Sequence, residues 1–300
     1  MLGSASTTKG ETFNMEKERE EFRNSLRACI DSQLSRSKLQ EIRDANDRMK
    51  LIINENMGDG KTFRGIATVL AYKYIETPEN ITDDKLRIAQ SLGWCTEILQ
   101  SYFLILDDIM DCSNLRRGKP CWYLREDTGQ GLAINDSIFL YSFMTEMLKD
   151  SVGTLPNYAH FINLFNEILL YTSMGQYLDI VTGQTNKDYS LFTTERYDAI
   201  VKYKTAFYTF KLPVTLGLLL ADKINEDTAK IVEEISFILG KLFQIQDDYI
   251  DCFGDESITG KIGSDIQEGK CSWLAVKALE CCSNKQRTVF TTCYASKEPA

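Results

Sequence analysis

Proline and histidine are scarce in this 300-residue chain, with five of the first and one of the second. So few prolines leave long stretches free to remain helical. The one histidine, His160, falls inside an apolar helical stretch and reads as a structural residue, so a histidine general base is not expected. Cations are outnumbered: 34 Lys and Arg face 43 Asp and Glu, a formal net charge of -9. That balance disfavours nucleic acid or an anionic membrane surface as a partner, since both need a broad basic face. An anionic small molecule would have to be held by a local group of cations or by metal ions. No apolar run approaches the roughly eighteen residues of a membrane span. The nine cysteines form no CxxC pair and read as reduced thiols packed as small apolar residues. Residues 1–14 carry neither an apolar run nor an arginine, so a flexible tail is expected there rather than a targeting address, and the protein is expected to be soluble and cytoplasmic.

What is present is helical periodicity. Residues 15–54 are charge-rich and weakly amphipathic, consistent with one or two helices. The glycine-punctuated NMGDGKTFRG then precedes an apolar helix from Phe63 to Tyr74. From Asp84 to Asp111, the positions Ile88, Leu92, Cys95, Leu99, Tyr102 and Leu106 recur at three- and four-residue spacing. Residues 112–134 read as a long loop. Further helices are expected at about 135–149, at 157–182, at 194–222 with Pro213 as a kink, and at 227–252. A glycine-rich loop leads to a helix over Ser272 to Cys282 and a short final one. No segment alternates with period two over a useful length. The expected fold is all-α: one domain over residues 15–300, a helical bundle around a central cavity.

Two stretches carry chemistry. Asp107, Asp108 and Asp111 stand at i, i+1 and i+4 at the end of a helix, and Asp247, Asp248 and Asp251 repeat the spacing on a later one. One such cluster would read as a solvated helix end. Two matched copies, each with lysine or arginine nearby, read as sites for a hard divalent cation, and Mg²⁺ favours one or two carboxylates completed by substrate phosphate oxygens. The spacing and glycine of a calcium-binding EF-hand loop are missing. The neighbouring cations are Arg116 and Arg117, Lys61 and Arg64, Lys204, and Lys261 and Lys270. Guanidinium forks suit phosphate oxygens, so this company points to a phosphorylated substrate.

The blocks DDIMD, RRG, CWY, GQYLD, VKYKTAFYTF, FQIQDDYIDCFGD and TGKIGSDIQEGKCSW together resemble the short-chain trans-isoprenyl diphosphate synthases of the eukaryotic farnesyl diphosphate synthase type, over about Gly60 to Trp273. The resemblance implies an isoprenoid synthase bundle and a Mg²⁺-dependent prenyltransferase acting as a homodimer. Such an enzyme condenses an allylic diphosphate, dimethylallyl or geranyl, with isopentenyl diphosphate to give geranyl or farnesyl diphosphate through an allylic carbocation. By that resemblance Asp107, Asp111 and Asp247 would ligate the metal, with Asp108, Asp248 and Asp251 in support. Arg116, Lys204 and Lys261 would contact the allylic diphosphate. Isopentenyl diphosphate would be held without metal by Lys61, Arg64, Gln100 and Arg117, while Thr205, Tyr208 and Gln176 would flank the cation and the departing proton. Tyr102 and Phe103, five and four residues before Asp107, would floor the growing chain.

Two departures stand out. Enzymes of this kind continue beyond the point at which TVFTTCYASKEPA ends, with further helices and a basic tail, so an uncovered apolar flank is expected. Asp59 replaces the usual glycine before Gly60 and Lys61. Two other functions are compatible with the residues. A terpene synthase derived from this family would ionise a prenyl diphosphate without isopentenyl diphosphate, and could lose the metal-free cation set. A non-catalytic modulatory subunit would have little reason to keep both aspartate clusters. The presence of Lys61, Arg64, Gln100 and Arg117 favours the prenyltransferase.

Overall fold

The computed structural model describes residues 14–35, 40–57, 60–183, 188–255 and 263–296. Lys261 and Asp59, singled out above, lie outside the described residues, as does nearly all of the expected tail. The charge-rich start forms two helices, α1 (Met15–Leu34) and α2 (Arg43–Met57). Asn14 caps α1, its side-chain oxygen accepting the Glu16 and Lys17 amides. Each lays one apolar stripe on the bundle, Phe22, Ile30 and Leu34 from α1 and Met49, Ile52, Ile53 and Met57 from α2.

Helices α3 (Phe63–Ile75), α4 (Asp83–Met110) and α5 (Gly129–Val152) follow. The 28-residue α4 packs against both of the others. Its middle is buried on every side, from Ala89 through Trp94 and Leu99, as a central helix of a bundle must be. The long helices α6 (Tyr158–Gly183) and α9 (Glu226–Phe253) flank a stretch made of α7 (Thr194–Ile200), a π-helical segment (Val201–Lys211) and α8 (Leu212–Leu220). A one-turn helix α10 (Asp265–Glu268), then α11 (Trp273–Cys281) and α12 (Asn284–Cys293), complete the description. The larger apolar core gathers around α4, and a smaller one joins Tyr189, Tyr197, Val276 and Leu279 beneath the end of α9.

Three expectations need correction. The loop expected over 112–134 is shorter, because α5 begins at Gly129; Gly129 and Gly131 are weak helix formers, and the helix is held from outside by Arg48 and by the Trp122 indole, which donates to Asp136 at 2.8 Å. Within that stretch Leu115–Arg116 pairs antiparallel with Lys119–Pro120. The helix expected over 194–222 is not simply kinked at Pro213: the eleven residues before Leu212 are π-wound, and the ring, which has no amide to donate, sits where the α-helical register resumes. His160 is exposed in the first turn of α6 rather than buried in the bundle. One side of α9 exposes Ile231, Ile235, Ile238 and Leu242 at helical spacing. Among the described residues no helix is long and apolar enough to cross a membrane.

Candidate active site

A cavity of about 780 Å³ opens between the ends of α4 and α9. Asp107 and Asp111 enter it from α4, and Asp247, Asp248 and Asp251 from α9. The π-helical segment supplies Lys204, Thr205 and Tyr208. Its placement depends on two glycines. A β-carbon on Gly175 of α6 would lie 2.1 Å from the Lys204 amide nitrogen, and one on Gly240 of α9 would lie 2.3 Å from the Ala206 side chain. Only glycine permits backbones to approach so closely on both sides. One helical turn after Gly175 comes Asp179, which this approach brings to Lys204.

The Lys204 ammonium lies 2.6 Å from Asp179 and 3.1 Å from Asp107. Lys270 lies 2.6 Å from Asp111 and 3.1 Å from Asp179. Burial pushes the Asp107 carboxyl up, but Lys204, Lys270 and Arg116 outweigh it and hold it below the usual carboxylate range. Asp179 is likewise pushed up by burial and brought well below that range by Lys204 and Lys270. Asp111 goes the other way, because burial and the Asp107 charge outweigh Lys270. Burial lowers both lysines, yet the surrounding carboxylates win and raise them, so both remain charged.

The adjacent arginines part company. Arg117 and Gly118 have φ of 56° and 75°, the positive values a two-residue hairpin turn requires. Arg116, on the strand, turns its Nε to Asp108 at 2.9 Å. Arg117, at the turn, lays its guanidinium against Gly60, with Nη1 3.4 Å from where a β-carbon would stand. Beyond it Arg64 donates to Gln100, to Tyr208 at 3.0 Å and to Thr209 at 2.8 Å, and stacks over the Tyr208 ring at 4.5 Å. The cavity therefore has an end where carboxylates and cations mix and an end lined by Arg64, Gln100 and Arg117.

Several residues proposed from sequence stand elsewhere. Asp108, about 100° around α4 from Asp107, is buried in the wall and engaged by Arg116, so it faces away from the cavity. Lys61 is exposed beside the α3 start, and the Gln176 amide is directed to the Met110 sulfur at 3.9 Å; neither lines the cavity. Tyr102 and Phe103 stand behind the wall, Phe103 edge-on to Tyr208 at 5.6 Å and Tyr102 against Tyr141 at 5.5 Å. Asp248 is committed to the fold, accepting the Tyr197 hydroxyl at 3.0 Å, the Trp273 amide at 2.7 Å and the Gln244 amide at 2.9 Å. Gln244 also accepts the Thr205 hydroxyl at 3.0 Å, linking the π-helical segment to the second cluster.

Asp179, Gln244 and the pairing role of Lys270 were not anticipated. Asp179 had a signal in GQYLD, a carboxylate one turn beyond a glycine; Gln244 had a weaker one, standing one turn before Asp248.

The donor set suits a hard divalent cation. Asp107 and Asp111 lie a turn apart and line the same cavity as Asp247, all three offering hard carboxylate oxygens. Among the described residues no three such side chains converge into a ready cage. That fits an ion completed by phosphate oxygens, since Lys204 and Lys270 neutralise the carboxylates here.

An all-helical bundle whose cavity sets two acidic helix ends against a wall of lysine and arginine defines an isoprenoid-synthase type of protein. The chain matches the polyprenyl synthetase family over residues 46–300 and belongs to it. Farnesyl pyrophosphate synthase of Gallus gallus is 44% identical over 260 residues, covering 86% of this chain and 71% of that protein. Farnesyl pyrophosphate synthase 1 of Lupinus albus is 41% identical over 258 residues, covering 86% and 75%. The structure of T. brucei farnesyl diphosphate synthase complexed with risedronate superposes with a TM-score of 0.86 at 31% identity, covering 94% of this chain and 83% of that one.

Proposed function

We propose that this chain is a trans-prenyltransferase that condenses dimethylallyl or geranyl diphosphate with isopentenyl diphosphate, giving geranyl and farnesyl diphosphate. One observation carries the reading: a single cavity has two chemically distinct ends, one mixing carboxylates with Lys204 and Lys270, the other presenting Arg64 and Arg117 with Gln100. A terpene synthase has no use for the second end.

Asp107, Asp111 and Asp247 would hold Mg²⁺, which when bound supplies positive charge to the leaving diphosphate. Arg116, Lys204 and Lys270 bind the same diphosphate and orient its C–O bond into the cavity. That bond breaks with its electron pair leaving on oxygen. The double bond of isopentenyl diphosphate, held by Arg64 and Arg117, then forms the new C–C bond, and the proton lost goes to the departed diphosphate. Thr205 and Tyr208 line the space between. No cavity residue is a histidine, which suits a diphosphate base. Phe103, behind Tyr208, limits chain growth.

A homodimer is supported by apolar residues exposed on α5 (Leu132, Ile134, Ile138) and α6 (Leu170, Met174, Tyr177). The nine cysteines are all unpaired, which suits a reducing compartment such as the cytoplasm.

The test is product analysis with Mg²⁺ and geranyl or farnesyl diphosphate, each with and without isopentenyl diphosphate. Elongation that depends on isopentenyl diphosphate is expected. A hydrocarbon or terpene alcohol formed without it would overturn the proposal in favour of a terpene synthase.

A further inference from the structure

Helix α3 begins without a cap of its own. Thr62, just before it, has φ 49°, in the left-handed region, and its side chain makes no capping hydrogen bond. The first amides of a helix need acceptors from elsewhere, and left open beside Arg64 they would form a ready site for an anion. The acceptor comes from another helix. Glu97 of α4, only 7% exposed, takes the Gly65 amide at 2.8 Å, and the Arg64 amide adds to the contact.

The two helices can meet there because glycines cross. A β-carbon on Gly65 would lie 3.0 Å from the Gly93 carbonyl oxygen, and one on Gly93 would lie 2.7 Å from the Gly65 carbonyl oxygen. Glu97 follows Gly93 by one turn, and three residues later Gln100 accepts from the Arg64 guanidinium. Helix α4 thus grips the start of α3 twice, by its backbone through Glu97 and by its side chain through Gln100. Burial pushes the Glu97 carboxyl above its usual range, against the pull of the Gly65 amide and the charges of Arg64 and Arg117.

We propose that Glu97 is a positioning residue for the metal-free diphosphate site. By taking the first amides of α3 it fixes the turn that carries Lys61 and Arg64 against Arg117, and it closes the helix end to anions, leaving the diphosphate to side-chain cations. This rests on reading the Arg64 and Arg117 end as the isopentenyl diphosphate site.

Two variants separate the acceptor from the bulk. Glu97→Gln keeps a side-chain oxygen for the Gly65 amide, and Glu97→Met fills a similar volume without one. Binding of isopentenyl diphosphate to the full chain is measured by calorimetry in EDTA, with KM for both substrates and kcat measured in Mg²⁺. Glu97→Met is expected to weaken isopentenyl diphosphate binding about tenfold or more, with Glu97→Gln within about threefold of the parent and KM for geranyl diphosphate and kcat within about twofold in both. Parent-like binding by Glu97→Met, or equal loss for both substrates, would overturn the proposal. If circular dichroism shows Glu97→Met unfolded, Glu97→Asp, whose oxygen is withdrawn by one methylene, must show the selective loss, and normal binding would overturn it equally. A parent chain that binds no isopentenyl diphosphate would instead overturn the functional reading, and this inference with it.

Discussion

The Lys270 ammonium lies 2.6 Å from the Asp111 carboxylate, joining residues 159 apart in the chain. A lysine that follows the second aspartate cluster thereby neutralises the last acid of the first. The same ammonium reaches Asp179, which also holds Lys204. Both cations thus join Asp179 to acids of the first cluster within one cavity. Such preorganisation lowers the reorganisation needed when charge develops on the leaving group.

Asp179 is the anchor of that arrangement. Asp179→Asn leaves two buried ammonium groups short of a partner and is expected to cost about 3 kcal/mol in urea unfolding, with a raised KM for geranyl diphosphate. A loss below about 0.5 kcal/mol with unchanged KM would show that Asp107 and Asp111 suffice.

Asp107→Ala and Asp247→Ala remove acids from opposite sides of the cavity. Each is expected to lower kcat for farnesyl diphosphate formation by about a thousandfold at saturating Mg²⁺. Normal turnover in both would exclude these carboxylates from metal-assisted ionisation.

Far from the cavity, Glu76 provides a pH-dependent contribution to stability. Burial raises its carboxyl, but the Thr77 amide at 2.9 Å, Lys85 at 3.2 Å and Lys223 at 3.4 Å prevail and bring its pKa down to about 2. The folded value lies below the ordinary 4.5, so the unfolded chain binds the extra proton as acid is added. The stabilisation is complete above 4.5 and is lost as pH falls through about 2. Urea midpoints of the parent and Glu76→Gln should differ at pH 6 and converge near pH 2. A gap of equal size at both pH values would refute the assignment.

Phe103 stands one turn before Asp107 and packs edge-on against Tyr208, whose ring lines the cavity. Phe103→Ala removes support behind that wall and is expected to lengthen the products by one five-carbon unit or more, read by chromatography. An unchanged product profile would remove Phe103 from chain-length control.

Much of the candidate site is legible in the sequence. Asp107, Asp111, Asp247, Arg116, Arg117 and Lys204 all reach one cavity, because helical spacing and sorted charge are local signals. The failures were of other kinds. Asp108 and Asp107 are neighbours in sequence, yet one turns into the wall and the other into the cavity, a consequence of helix rotation. Gln176 shares a block with Asp179, but only Asp179 lines the cavity, because Gly175 brings α6 against Lys204 at one angle. The π-winding of Val201–Lys211 had no signal beyond Pro213.

The sequence by itself determined the helices and their order, since apolar periodicity and capping act over a few residues, and it placed two acid clusters at helix ends. Only the tertiary structure decided which acid meets which cation. Lys204 and Asp179 are 25 residues apart, Lys270 and Asp179 are 91, and Lys270 and Asp111 are 159. Periodicity states which face of a helix is apolar, but not which face of another helix will cover it. That choice was made by close backbone approaches at Gly65, Gly93, Gly175 and Gly240, where steric exclusion rather than local propensity sets the geometry.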